Sequence, residues 1–206
     1  MWRQECTVGE SPRILIVRLS AIGYVIHAIP LLGALREQFP KAHLSWLVAG
    51  QAGCLLEGHR ALDELIVVPR RWLKSPRAVT QLRRRLLKLA PEVAIDVQGL
   101  AKSAIAARLS GAKQRIGFGD EKGRELSRLL NNRLVRTTSP HIIDANLELL
   151  RPLGIERPTP HFDIPESEID GQSARQMILD AGISDRFALI NVGAGWPSKL
   201  WRPDRF

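Results

Sequence analysis

A short run, Ile14-Leu-Ile-Val17, constrains this chain more than any other feature, because a glycine turn and a helical apolar stripe follow it at once. The run is apolar throughout and largely β-branched, as in strands buried on both faces of a parallel sheet. Ser20-Ala-Ile-Gly23 turns the chain, with Gly23 available for a positive φ or a close backbone approach. Val25, Ile26, Ile29, Leu32, Leu35 and Phe39 then recur at helical spacing up to Pro40. Such a β-turn-α unit places its turn at the carboxyl end of the strand. Open α/β sheets bind their ligands there, where backbone N–H groups and helix N-termini point outward.

The pattern repeats along the chain. His43–Ala49, Glu64–Val68, Val93–Gly99 and Gln114–Phe118 read as further strands, with helices over Ala52–Leu56, Pro76–Leu89, Lys102–Leu109, Glu125–Leu130 and Ile142–Leu150. Alternation of this kind predicts an α/β fold with a doubly wound, mainly parallel sheet over residues 13–155, after an extension of residues 1–12. Residues 156–168 carry Pro158, Pro160 and Pro165 without periodicity and read as a linker. Ser173–Ala181 then reads as a helix, and Phe187–Val192 as the first buried strand of another lobe, with Gly193–Lys199 as its turn. The expectation is a second domain over 169–206 that is begun and not completed.

A formal charge of +9 over 206 residues favours an anionic partner: nucleic acid, an anionic lipid surface or a phosphorylated substrate. Two cysteines, Cys6 and Cys54, are too few for a disulfide framework, so a reducing cytosol is the default compartment. Neither a signal peptide nor a run long enough to span a membrane is present, and any membrane contact would be made from the cytosolic surface. No His, Cys, Asp or Glu spacing suits a metal, and the glycine turn near Gly23 matches no dinucleotide or Walker fingerprint. Between residues 65 and 91 lie eight basic side chains and no acid. Arg83, Arg84, Arg85 and Lys88 fall on a helix face and read as solvated. Arg70, Arg71 and Lys74 directly follow a strand, at the ligand edge, where Arg forks suit carboxylate and phosphate oxygens. Only Trp72 lies among these charges, too few aromatics for a nucleic-acid surface.

Several segments carry a resemblance. Leu19-Ser-Ala-Ile-Gly-Tyr-Val-Ile-His-Ala-Ile-Pro30 resembles the opening motif of the lipopolysaccharide heptosyltransferases, glycosyltransferase family 9. Arg70-Arg-Trp-Leu-Lys74 resembles a segment of its heptosyltransferase I branch, and Gln98-Gly-Leu-Ala-Lys-Ser103 resembles another family segment. Gly123-Arg124-Glu125 resembles an Arg-Glu pair of the family whose Arg lies in the acceptor cleft, and His141 aligns with a family His near the acceptor. Val192 to Trp201 resembles the donor motif Gly-x-x-x-x-x-Lys-x-Trp. The resemblance implies a GT-B fold of two Rossmann-like lobes and an inverting, metal-independent transfer of heptose from ADP-heptose. The implied acceptor is a Kdo sugar of the inner core, presented as a Kdo-lipid A type molecule at the cytosolic face of the inner membrane. It assigns acceptor binding to Arg70, Arg71, Lys74, Gln98, Lys102, Ser103, Arg124 and His141. Donor binding falls to Gly193, Ser198 and Lys199, and no cofactor is implied.

One position departs from the family. Tyr24 stands where the motif has the Asp held to be the base. A phenol with a pKa near 10 is a poor proton acceptor at neutral pH beside a carboxylate near 4. The expectation is therefore a catalytically silent chain. Two alternatives stay open: an acceptor-binding module without catalysis, and an unrelated basic α/β protein that binds nucleic acid.

Overall fold

A computed structural model describes residues 8–190, 193–194 and 197–205. The chain divides into two compact units after Pro165. The first unit is built on six strands, β1 (Arg13–Val17), β2 (His43–Ala49), β3 (Glu64–Val68), β4 (Val93–Asp96), β5 (Gln114–Phe118) and β6 (Arg133–Val135). All neighbouring pairs are parallel, in the order β3-β2-β1-β4-β5-β6. Strand order therefore reverses between β1 and β4, which makes a crevice outside the carboxyl ends of these two strands.

Side chains on β1 alternate between two cores, as the period of a strand requires. Ile14 and Ile16 pack into a cluster with Val25, with the helix α2 (Pro30–Gln38) and with the helix α6 (Ile142–Glu148). Leu15 and Val17 face the other cluster, against Leu82, Leu86 and Leu89 of α3 (Pro76–Leu89) and Ala106 and Ala107 of α4 (Ala101–Leu109). Burial on both faces is why the β1 sequence is continuous rather than alternating. In α3 the Ser75 hydroxyl caps the first turn at the Ala78 N–H (3.3 Å), Pro76 opens the helix, and Arg83, Arg84 and Lys88 are exposed on its outer face.

The elements differ from the sequence reading in a few places, each with a local cause. The first helix is two: α1 (Ile22–Ile26) ends at His27, and α2 begins at Pro30, whose nitrogen has no proton to continue a helix. Apolar spacing runs on across the break, so periodicity alone concealed it. Gly23 lies inside α1 without a positive φ, and a Cβ there would meet no protein atom within 4 Å. The fourth strand stops at Asp96, and residues 50–55 form a 3₁₀ turn. β6 was not anticipated; three residues, Arg-Leu-Val, give too short a pattern.

In the second unit, helix α7 (Glu168–Asp180) starts five residues ahead of Ser173, because the Ser167 hydroxyl accepts from the Asp170 N–H (3.0 Å). Phe187–Ile190 is not a strand, and Asn191 and Val192 lie outside the described residues. A strand needs a hydrogen-bonded neighbour, and the second unit has no other strand among its described residues.

Candidate functional site

The crevice is framed by turns that leave β1 and β4. Arg18, the first residue after β1, is buried with a relative exposure of 7%. Its Nη1 donates to the Val97 carbonyl (2.7 Å), and its own carbonyl accepts from the Trp46 indole N–H (3.3 Å). Burial pushes the Arg18 pKa down to about 10, against the opposing pull of Asp96 and Tyr24, so the guanidinium stays charged at neutral pH. Tyr24 follows on α1, half exposed. The guanidinium lies 4.7 Å from its ring centroid, and His27 meets the ring edge-on at 6.0 Å. A charged fork against an aromatic face is favourable, the more so when partly desolvated.

Asp96, at the end of β4, is fully buried. Its Oδ1 accepts the N–H groups of Gln98 (3.1 Å) and Gly99 (3.0 Å), which fixes the turn. Its Oδ2 accepts from the Ser127 hydroxyl (2.9 Å) and the Asn131 amide (3.0 Å) of the segment around α5 (Glu125–Leu130). Sequence reasoning passed over both Arg18 and Asp96. The available signal was a charge at the carboxyl end of each of two short, doubly buried apolar runs.

Two glycines let the next loop close on this turn. Gly99 has φ +67°, and a Cβ there would lie 2.4 Å from the Lys122 carbonyl. At Gly123 a Cβ would lie 2.3 Å from the Phe118 carbonyl. The Arg124 N–H donates to the Gly99 carbonyl (2.9 Å), so the loop after β5 is bound to the turn after β4.

The residues expected to hold the acceptor are distributed as follows. Arg70, Arg71 and Lys74 are exposed after β3, and Trp72 between them is buried as the loop's anchor. The Arg70 side chain lies across Gly50, where a Cβ would approach its Cγ to 3.1 Å. Lys102, at the start of α4, donates its Nζ to the Arg70 carbonyl and so joins the loop after β3 to the turn after β4. Burial lowers the Lys102 pKa. Lys102 and Arg124 also line one open groove of about 660 Å³, with Leu100, Glu121, Leu126 and Arg128. Gln98 and Ser103 are turned inward. Gln98 Oε1 accepts the Leu19 N–H (2.8 Å), which ties the first turn to the fourth strand's turn. Ser103 is fully buried; its hydroxyl accepts from the Leu100 N–H (3.2 Å) and donates to the Leu100 carbonyl (2.9 Å).

His141 is exposed at the start of α6, which follows β6 and so begins at the same sheet edge. The Asn146 amide of α6 donates to the His27 carbonyl (3.1 Å), setting the helix beside the end of α1. Gly193, Ser198 and Lys199 are exposed in the second unit, the last two within a 3₁₀ turn, Pro197–Lys199. Among the described residues, no group of three or more His, Cys, Asp or Glu could hold a metal, and no helix is long and apolar enough to cross a membrane.

Two carboxylates brace the loops of this edge. Desolvation alone would raise the Asp120 pKa, but hydrogen bonds from the Thr137 hydroxyl (2.6 Å), Thr137 N–H (2.8 Å) and Lys122 N–H (2.9 Å) hold it below the ordinary value. Glu148 behaves alike: burial opposes, while Thr138, Arg151 and Ser139 together hold it low. A carboxylate whose folded pKa is depressed stabilises fully above its unfolded pKa and loses that contribution as pH falls through the folded value. Protection of the amides in residues 119–124 and 136–141, taken relative to intrinsic exchange at each pH, should therefore fall ahead of that of the sheet as pH drops from about 5 toward about 3. A uniform fall in protection across the unit would remove this role for the two carboxylates.

Residues 79–206 match glycosyltransferase family 9 (heptosyltransferase). The chain belongs to that family. It is 28% identical over 194 residues to the lipopolysaccharide core heptosyltransferase OpsX of Haemophilus influenzae, covering 93% of this chain and 54% of that protein. With lipopolysaccharide heptosyltransferase 1 of Salmonella typhimurium the identity is 27%, over 92% of this chain and 63% of the other. The chain thus spans little more than half the length of these relatives. Among solved structures, a family 9 glycosyl transferase from Veillonella parvula superposes with a TM-score of 0.78 at 22% identity, covering 94% of this chain and 57% of the other. The E. coli heptosyltransferase WaaC with ADP superposes with a TM-score of 0.64 at 28% identity, over 74% of this chain and 51% of that one. The α/β architecture is that of the family's GT-B-like structures. The family match takes in the Gln98–Ser103 turn, Arg124, His141 and the Ser198–Lys199 turn, while the alignments with whole relatives reach over nine-tenths of the chain.

Proposed function

We propose that the carboxyl edge of the first unit binds the acceptor sugar in a lipopolysaccharide heptosyl transfer. The reading rests on one observation above the others: Lys102 and Arg124, from two separate turns, line one groove, and Lys102 is bonded to the backbone carbonyl of Arg70 in the loop after β3. Arg71 and Lys74 extend that basic edge, and His141 stands at it. Gln98 and Ser103 serve as positioning residues that hold the turn rather than as contacts. A carboxylated or phosphorylated sugar suits such a surface, because Arg forks pair with planar oxyanions.

The donor is ADP-heptose, held by Gly193, Ser198 and Lys199 of a second lobe that the unit after Pro165 begins. The acceptor is a Kdo sugar of a Kdo-lipid A type molecule, met at the cytosolic face of the inner membrane. In the reaction an acceptor hydroxyl oxygen forms a bond to the heptose anomeric carbon as the bond from that carbon to the diphosphate breaks, with inversion. The hydroxyl proton passes to a base, and Lys199 offsets the charge on departing ADP. A second reading, acceptor binding without catalysis, is favoured by Tyr24, which offers no carboxylate at the first turn.

Each charge-assisted contact of this kind is worth roughly 1.5–3 kcal/mol. Arg70→Ala together with Arg71→Ala is therefore expected to weaken Kdo-lipid A binding, measured by calorimetry, at least about tenfold. Alanine at Arg83 and Arg84, on the outer face of α3, should change little beyond salt sensitivity. Equal losses from both sets would mean a diffuse basic surface, and the site would be wrong.

A further inference from the structure

The corner where α5 meets β6 carries an apolar patch that the transfer reaction leaves unused. Leu126 and Leu129 stand three residues apart on α5, exposed by 41% and 79%, and Leu134 on β6 is exposed by 48%. Residues at this spacing share a helix face. Leu134 lies beside them, because it pairs with Gly117, and Asn131 at the end of α5 packs directly over that glycine. β6 is the last strand of the sheet. Arg128 and Arg136 are exposed on the same corner. Leu126 and Arg128 also line the groove that holds Lys102 and Arg124, so the patch runs into the proposed acceptor site. Of the described carboxylates nearby, Asp120 is engaged by Thr137, and Glu121 lines the groove.

We propose that this corner docks on an anionic lipid bilayer. Leucine side chains enter the boundary between headgroups and acyl chains, while flanking arginines meet lipid phosphates. A nucleic acid would call for aromatic side chains on which bases could stack, and the patch offers leucines instead. The net charge of +9 favours a negatively charged surface. The proposal rests on the heptosyltransferase reading in one respect: a lipid-linked acceptor would reach the groove directly from a bilayer held at its rim.

The test is co-sedimentation of the 206-residue chain with vesicles of phosphatidylglycerol and phosphatidylethanolamine, and with vesicles of phosphatidylcholine alone. Leu129→Asp and Arg136→Glu are the variants, since neither residue is assigned to the acceptor site. The parent should partition onto the anionic vesicles only. Leu129→Asp should weaken this about tenfold or more, and Arg136→Glu about fivefold, as expected for a basic residue worth about 1 kcal/mol near such a surface. Unchanged thermal unfolding midpoints establish that both variants fold. Equal binding to phosphatidylcholine, or no effect of Leu129→Asp, overturns the proposal. So does a change in the self-association of the lipid-free chain, which would make the patch a contact between copies. Binding of a lipid-free Kdo oligosaccharide separates the two readings. If the parent does not bind it, the acceptor assignment fails while the vesicle result stands; if both variants bind it normally but leave the vesicles, docking and acceptor sites are distinct.

Discussion

In a chain completed by a family 9 second lobe, Tyr24→Asp should raise acceptor-dependent ADP release by about 10²–10⁴, the usual contribution of a positioned base. The substitution is compatible with the local structure. Tyr24 is exposed on α1, so losing its ring opens no cavity in the core. The Arg18 guanidinium now facing the ring would instead face a carboxylate. An opposite charge at that range keeps the carboxylate ionised and ready to accept a proton. It also lowers the carboxylate's basicity, which places the expected gain toward the lower end of the range. The comparison is made at saturating donor, with ADP release measured in parent and variant. A parent as fast as the variant would mean that another residue is the base.

Asp96→Ala is expected to cost about 3–5 kcal/mol of folding stability, the range found when one partner of a buried charge is removed. The carboxylate accepts four hydrogen bonds and is a source of attraction for buried Arg18. Its removal leaves the Gln98 and Gly99 N–H groups and the Ser127 hydroxyl without this acceptor, and the Asn131 amide with Ser127 alone. Asp96→Asn retains the shape but turns a donor toward Ser127 or Asn131 and removes the charge, so an intermediate loss of about 2 kcal/mol is expected. Urea unfolding of the 206-residue chain measures both. A loss below about 1 kcal/mol for Asp96→Ala would show that the network does not hold the turn.

Five of the six strands were legible because each carries a short apolar stretch between turns and helices, most plainly in β1 and β3, and the helices between them keep their buried stripes. What the sequence concealed was shaped by tertiary pairing. β6 is a strand only because β5 offers it an edge, and Phe187–Ile190, with a more persuasive strand pattern, has no such neighbour among the described residues. The site divides in the same way. Arg70, Arg71, Lys74 and Lys102 could be placed at the carboxyl edge of the sheet from their positions after strands, and Arg124 only from the family resemblance. Gln98 and Ser103 looked like contacts, since a polar side chain in a turn has the same pattern whether it faces ligand or backbone. Arg18 and Asp96 were hidden because nothing in the order of residues shows that the turns after β1 and β4 are neighbours.

The most direct test of acceptor binding at this sheet edge is amide hydrogen exchange of the 206-residue chain with and without a Kdo-bearing oligosaccharide. Exchange should slow in residues 70–74, 98–103 and 119–124, the segments joined by the Lys102–Arg70 and Arg124–Gly99 hydrogen bonds. It should be unchanged along the outer face of α3. Slowing confined to α3, or no slowing at saturating sugar, would contradict acceptor binding at the carboxyl edge.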